Sequence, residues 1–251
     1  VITFALTVVA VYMAIWFLIG QILRRNDVAD IAWGLGFVVL AWALYFERPS
    51  VQLSLAVILV TVWGARLAVH VFMRNRKKPE DFRYAQWRKD WGKWFIPRSF
   101  IQVYMLQGLL LVLISAPLIA MSTDGRDSLN VVHAVGVLIW LVGIVFESVG
   151  DYQLSQFIQT KKKDDILRTG LWRYTRHPNY FGEVMQWWGI WVISYGTSLF
   201  AAALIGPVTI TVLILKVSGV PMLERKYRDN AKYQDYKRRT SKFIPLPVKK
   251  G

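Results

Sequence analysis

An all-α, polytopic membrane fold with seven transmembrane helices is what this sequence predicts, on three observations. Apolar residues come in blocks, basic residues are confined to alternate loops, and ionisable residues recur at helical spacing inside the blocks. The 251 residues are 55% hydrophobic, with a mean hydropathy of +0.34, where a soluble domain carries roughly 45–50% apolar residues in shorter runs.

The blocks are Val1–Leu23, Ile31–Phe46, Val51–Met73, Phe100–Met121, Val131–Val149, Tyr180–Tyr195 and Leu199–Leu223. A bilayer core ~30 Å thick is crossed by about 20 residues, or about 17 at the least. Most blocks meet that length, and the second and sixth lie at its lower limit. The first block is expected to remain as a span, since no basic segment precedes it and no small-residue cleavage site follows.

Charge gives the orientation. Of the 31 Lys and Arg, 27 fall after the first, third, fifth and seventh blocks: Arg24 and Arg25, nine in Arg74–Arg98, six in Gln159–Pro178 and ten in Glu224–Gly251. The opposite loops hold Arg48 and Arg126, and Arg66 and Lys216 lie within blocks. Basic loops face the cytoplasm, so the N-terminus is expected outside and the C-terminus in the cytoplasm. Topology and anionic headgroups account for the net charge of +15 without a nucleic-acid partner. The absence of cysteine excludes thiol nucleophiles, disulfides and cysteine metal sites. The three histidines are too far apart in sequence to form a metal motif.

No linker or repeat divides the chain, which predicts one domain over 1–251 with its catalytic part in the C-terminal half, roughly 131–251. The outer turns are short, whereas the cytoplasmic loops and tail form a basic, aromatic-rich layer. Within it, Pro79–Trp94 (PEDFRYAQWRKDWGKW) is expected to form an interfacial helix.

Ionisable groups inside spans are costly and so mark candidate sites. Trp63, Arg66, His70 and Arg74 share one face of the third span. Glu147 and Asp151 are one turn apart on the fifth, and Asn179, Glu183 and Gln186 follow one another on the sixth. Asp27 and Asp30 stand at the mouth of the second. Mutual ion pairing, such as Arg66 with Glu147 or Glu183, accounts for the set structurally; a water- or ligand-filled cavity accounts for it functionally. The densest cluster is Arg168–Glu183 (RTGLWRYTRHPNYFGE). Pro178 suits the first turn of a helix, whose free N–H groups, beside Arg168, Arg173, Arg176 and His177, suit an anion such as phosphate. Trp172, Tyr174 and Tyr180 offer rings for a planar base. No GxGxxG after a strand and no P-loop occurs.

At DVADIAWGLGF (Asp27–Phe37), DYQLSQF (Asp151–Phe157), LRTGLWRYTRHPNYFGE (Leu167–Glu183) and YKRRTSKFIP (Tyr236–Pro245), the chain resembles the membrane steroid 5-alpha-reductase superfamily. It looks closest to a bacterial branch of multi-span proteins of unknown function. The resemblance implies seven helices enclosing NADPH, entered from the cytoplasm, with a lipid-accessible cavity for a steroid-like enone. The implied reaction is NADPH-dependent reduction of a carbon–carbon double bond conjugated to a ketone, as in a 3-oxo-delta-4 steroid, by a monomer in membrane lipid. It assigns Asn179 and Glu183 to the nicotinamide side, where the Tyr180 ring is a further cofactor-binding candidate, and Asp151 to the fifth-span aspartate. Arg66 with His70 resembles a phosphate-binding pair. Arg168, Trp172, Arg173 and His177 fall to the pyrophosphate and adenosine, and Tyr227 to the tail tyrosine closing over the cofactor. Asp30 and Glu183 are the implied catalytic carboxylates, and Trp33 and Trp63 the substrate wall. Steroid reductases carry a tyrosine on the third span where this chain has Trp63, so the acid falls to Asp30. The His-Pro string also occurs in membrane S-adenosylmethionine methyltransferases of the isoprenylcysteine or phospholipid type, the alternative reading.

Overall fold

In the computed structural model the described residues are 1–162 and 164–249, without the side chain of Lys226. They are helical throughout, joined by turns, with one isolated bridge between Thr175 and Ser241 and no strand among them. The chain forms two compact units, residues 1–130 with 194–206, and residues 131–193 with 207–251.

The first unit begins with three long helices, α1 (Ile2–Ile22), α2 (Val28–Glu47) and α3 (Val51–Asn75). Ser50 caps α3 by accepting from Leu53 N, which satisfies one of the donors left free at a helix start. Helices α2 and α3 touch backbone to backbone at Gly34 and Gly64: a Cβ on Gly64 would stand 2.6 Å from the Gly34 carbonyl oxygen. The chain then forms α4 (Phe82–Trp91), capped by Asp81, and turns at Gly92, whose φ is +48°. It continues through α5 (Phe95–Arg98), a π-helical stretch (Ser99–Met105) and α6 (Leu106–Ile114). After α7 (Ala116–Asp124), Gln52 ties the loops together: its side chain accepts from Arg126 N at 2.9 Å and donates to the Tyr195 carbonyl at 2.9 Å.

The second unit is built on α8 (Val131–Thr160) and α9 (Pro178–Ile193). Gly136, Gly143 and Gly150 recur every seventh residue on α8 and face Gly182 and Gly189 on α9. A Cβ on Gly143 would lie 2.6 Å from the Gly182 carbonyl oxygen, and one on Gly182 would lie 2.4 Å from Glu147 N. A seven-residue repeat keeps one seam facing its partner along two helices, and glycine lets apolar helices approach closely where van der Waals contact is the main attraction. After α10 (Phe200–Ala203) in the first unit and α11 (Ile205–Val212), the chain passes a π-helical turn (Leu213–Val217) and ends in α12 (Val220–Lys226) and α13 (Ala231–Arg239). Asn230 caps α13, accepting from Tyr233 N.

Six helical segments are long and apolar enough to cross a membrane: α1, α2, α3, Phe82–Ile114, α8 and Phe200–Arg225. The Tyr180–Tyr195 block instead gives α9, whose 16 residues reach only about 24 Å at the α-helical rise. Pro178 opens α9, and the turn at Gly196, with φ +90°, follows its end. The fourth segment runs longer than its block because the amphipathic stretch leads into the span.

The α8–α9 seam predicts that Gly182→Leu, whose side chain would meet the backbone of Glu147 and Gly143, loses at least the ~1–3 kcal/mol typical of overpacking. A lowered melting temperature in detergent checks it; an unchanged melt would show that the two helices part without cost.

Candidate functional site

In the second unit, the residues before α9 are held in place from three sides. Gly170 (φ +59°) turns the chain, Leu171 N donates to Gln153 Oε1 at 3.0 Å, and the buried Trp172 indole donates to the Gly150 carbonyl at 3.1 Å. Gly150 is also where α8 meets the Asn179 backbone, so one contact positions both the loop and the helix start. Trp172 thus anchors the loop to α8, while Arg168 and Arg173 stay exposed.

Arg176 and His177 behave differently from their exposed neighbours. The Arg176 side chain is 6% exposed; it donates to Glu224 Oε1 at 2.7 and 3.0 Å and to the carbonyls of Lys237 and Thr240 at 2.9 Å each. Lys237 Nζ lies 3.0 Å from Glu224 Oε2. Around this pair the tail is strapped to the loop: Arg176 N donates to Ser241 O, Thr175 Oγ1 to Phe243 O, and the Tyr236 hydroxyl to Trp172 O. The His177 side chain is 4% exposed, with Nε2 3.6 Å from Glu224 Oε1, and neither ring nitrogen makes a hydrogen bond among the described residues. Burial lowers its pKa below the usual histidine range, against the opposing pull of Glu224. Its ring stacks on Tyr180 at 5.7 Å between centroids.

Two polar pairs run along the glycine seam. Asn179 Nδ2 donates to Asp151 Oδ1 at 3.1 Å while its Oδ1 accepts from Tyr180 N at 3.0 Å. Two turns further on, Gln186 Nε2 donates to the buried Glu147 carboxylate. Glu183 lies between these pairs on the same face of α9 and is half-buried. Tyr227 stacks on Tyr233 at 5.2 Å and lines a cleft of about 440 Å³ with Lys161, Lys162, Asp164, Asp165, Asp229 and Asn230.

In the first unit, Asp30 sits in the first turn of α2 with a partner from a distant part of the chain. Tyr84, 3% exposed, donates its hydroxyl to Asp30 Oδ1 at 2.9 Å, and Arg83 reaches Oδ2 at 3.3 Å. Beside them, Asp27 pairs with Arg25 at 2.7 Å and accepts from Asp81 N, while Asn26 N donates to Glu80, itself paired with Arg88 at 3.0 Å. Trp33 is half-buried and meets Phe37 edge to face at 5.1 Å; Phe37 meets the buried Trp63 at 5.4 Å. Asp30, Trp33 and Phe37 share one helical face, so an aromatic row continues from the carboxylate. Arg66 and His70 are half-buried on α3, four residues apart.

Sequence reasoning missed Tyr84 and Glu224. Tyr84 is 54 residues from Asp30, in a stretch whose pattern suggested only an interface, and no spacing rule links the two. Glu224 sits among tail charges that resemble a solvated face.

A family model matches residues 16–240, and the chain belongs to that family, described as a protein of unknown function (DUF1295). An uncharacterized protein of Schizosaccharomyces pombe is 25% identical over 191 residues, 67% of this chain; the chain spans 55% of that relative's length. No solved structure matches.

The clasp predicts that Arg176→Ala, which leaves Glu224 only Lys237 as a close cationic partner and two carbonyls without their donor, costs up to about 3–5 kcal/mol, the loss on removing one partner of a buried ion pair. Limited proteolysis should then cut residues 227–249 faster than in the wild type, while Arg173→Ala, at an exposed site, leaves the tail protected.

Proposed function

We propose that this DUF1295 protein is an NADPH-dependent reductase of a lipophilic, steroid-like enone, reducing the carbon–carbon double bond conjugated to the ketone. The observation that carries the reading is the hydrogen bond from the buried Tyr84 hydroxyl to the half-buried Asp30. An enolate oxygen needs a positioned donor as charge develops on it, whereas methyl transfer from S-adenosylmethionine has no use for one. Asp30 is engaged by both Arg83 and Tyr84, an arrangement suited to a carboxylate that orients a phenol. In this reading the Tyr84 hydroxyl, whose single proton points to Asp30 here, turns to the substrate oxygen when the enone binds, and Asp30, still held by Arg83, is the positioning residue. The saturated ketone then forms as the α carbon takes a proton from water.

When bound, NADPH would supply a hydride for the β carbon. The second unit has groups that fit such a ligand. The ring nitrogens of His177 are buried without a hydrogen bond among the described residues, at the start of a 16-residue helix. Arg168 and Arg173 are exposed without an ion-pair partner among the described residues. These three are the phosphate-binding set of this reading; the first turn of α9 adds little, since Pro178 lacks an N–H and those of Tyr180 and Phe181 are taken by Asn179 Oδ1 and the His177 carbonyl. Asn179, Tyr180, Asp151 and Glu183 serve the nicotinamide side, and Tyr227 the closing tail. Arg176 is left out because Glu224 and two carbonyls occupy its guanidinium. Seven crossings, with α9 as the short one, and a cytoplasmic C-terminus accord with the distribution of basic residues.

Thermal unfolding of the detergent-purified protein with NADPH and with S-adenosylmethionine tests the cofactor. A ligand at 100 times its Kd stabilises by ~2.7 kcal/mol, so NADPH should raise the melting temperature and S-adenosylmethionine should not. The reverse result would favour the methyltransferase. With an enone that consumes NADPH, Tyr84→Phe should lower kcat by roughly 10²–10³-fold, as loss of one oxyanion donor does, and leave the NADPH-induced shift intact. Unchanged kcat would remove Tyr84 from the reaction.

A further inference from the structure

The nine basic residues of Arg74–Arg98 are not used alike. Arg83 and Arg88 turn inward, to Asp30 and Asp81 and to Glu80, and Arg74 donates to the neighbouring Asn75 side chain. The other six, Arg76, Lys77, Lys78, Lys89, Lys93 and Arg98, are exposed, and none has an ion-pair partner among the described residues. Two of the three acidic residues in this stretch, Glu80 and Asp81, are occupied by the inward arginines; only Asp90 is exposed. The outer face is therefore a nearly uncompensated cationic surface.

Large apolar side chains share that surface. Phe82 is 74% exposed and Trp94 58%, and Trp87 stacks on Trp91 at 5.3 Å. The segment then continues into the apolar run that ends at Ile114, giving 33 residues in all. The segment turns at Gly92, and its helical part from Phe95 to Ile114, about 30 Å at the α-helical rise, is by itself enough to cross a hydrocarbon core of ~30 Å. Its charged, ring-bearing N-terminal part accordingly belongs at the headgroup level, where basic residues meet phosphates and rings enter the acyl boundary.

We propose that the outer face of residues 76–98 is a docking surface for anionic phospholipid headgroups. It is independent of the enzymatic reading. Arg83 and Tyr84 belong to the same ten-residue helix, so headgroups held on its outer side also hold its inner side against Asp30.

The test is lipid selection by the full chain, reconstituted into nanodiscs from an equimolar mixture of phosphatidylcholine and phosphatidylglycerol. Bound lipid is quantified by native mass spectrometry. The wild type should enrich phosphatidylglycerol, and K77Q/K78Q/K89Q/K93Q should reduce that enrichment by about tenfold or more, since each basic residue near an anionic surface contributes to attraction. A charge-matched tail variant, R238Q/R239Q/K242Q/K249Q, should retain it. Equal enrichment in wild type and the first variant, or equal loss in both variants, overturns the assignment. Displacement of the lipid by inorganic phosphate overturns it in favour of a free-anion site. Hydrogen exchange on the wild type guards against misfolded variants: phosphatidylglycerol should slow exchange in residues 76–98 at least severalfold relative to phosphatidylcholine, and equal rates in the two lipids reject the surface.

Discussion

The backbone contact between α8 and α9 is the constraint on which the second unit depends. Five glycines at seven-residue spacing remove the Cβ atoms that would hold these helices apart, and a Cβ at any of Gly136, Gly143, Gly182 or Gly189 would come within 3 Å of the facing helix. Helices this close leave little room for large side chains between them, so the polar residues along the seam meet across it. Asn179 reaches Asp151 and Gln186 reaches Glu147 as a result. In a low-dielectric setting such groups are tolerated only when hydrogen-bonded. The same contact carries the loop before α9, because Trp172 is anchored on the carbonyl of a seam glycine.

That loop is held from its other side by the tail. Glu224 gathers Arg176 and Lys237, and the Arg176 guanidinium also satisfies two carbonyls at the end of α13. A fork with five donors suits this bridging task better than an ammonium would. The clasp divides a run of basic residues into one that builds the loop and others that remain available to a ligand. His177 stands at the division, buried beside Glu224 and beyond hydrogen-bonding distance of it.

The first unit sorts its charges by the same logic. Asn26, Asp27 and Asp30 project from the start of α2, and the segment after α3 answers with Glu80, Asp81, Arg83, Tyr84 and Arg88. Groups that turn inward find partners, and those that turn outward are left to water or headgroups. The short helix α4 therefore has an inner face defined by hydrogen bonds and an outer face defined by charge and rings.

By itself the sequence determined what depends on composition and local period. The apolar blocks at α1, α2, α3, α8 and the last span follow from hydropathy alone, as does the all-helical class, because only closed backbone hydrogen bonding satisfies the peptide in lipid. The faces Glu147/Asp151 and Asn179/Glu183/Gln186 were legible because helical geometry fixes offsets of three, four and seven. Tertiary structure alone decided the partners. Arg176 is indistinguishable from Arg173 in a string of letters; only the approach of α12 and α13 makes it a bracket. Tyr84 becomes the partner of Asp30 only when chain 54 residues away folds back onto it. Such contacts are set by side-chain direction and helix packing over long separations, and no local period encodes them.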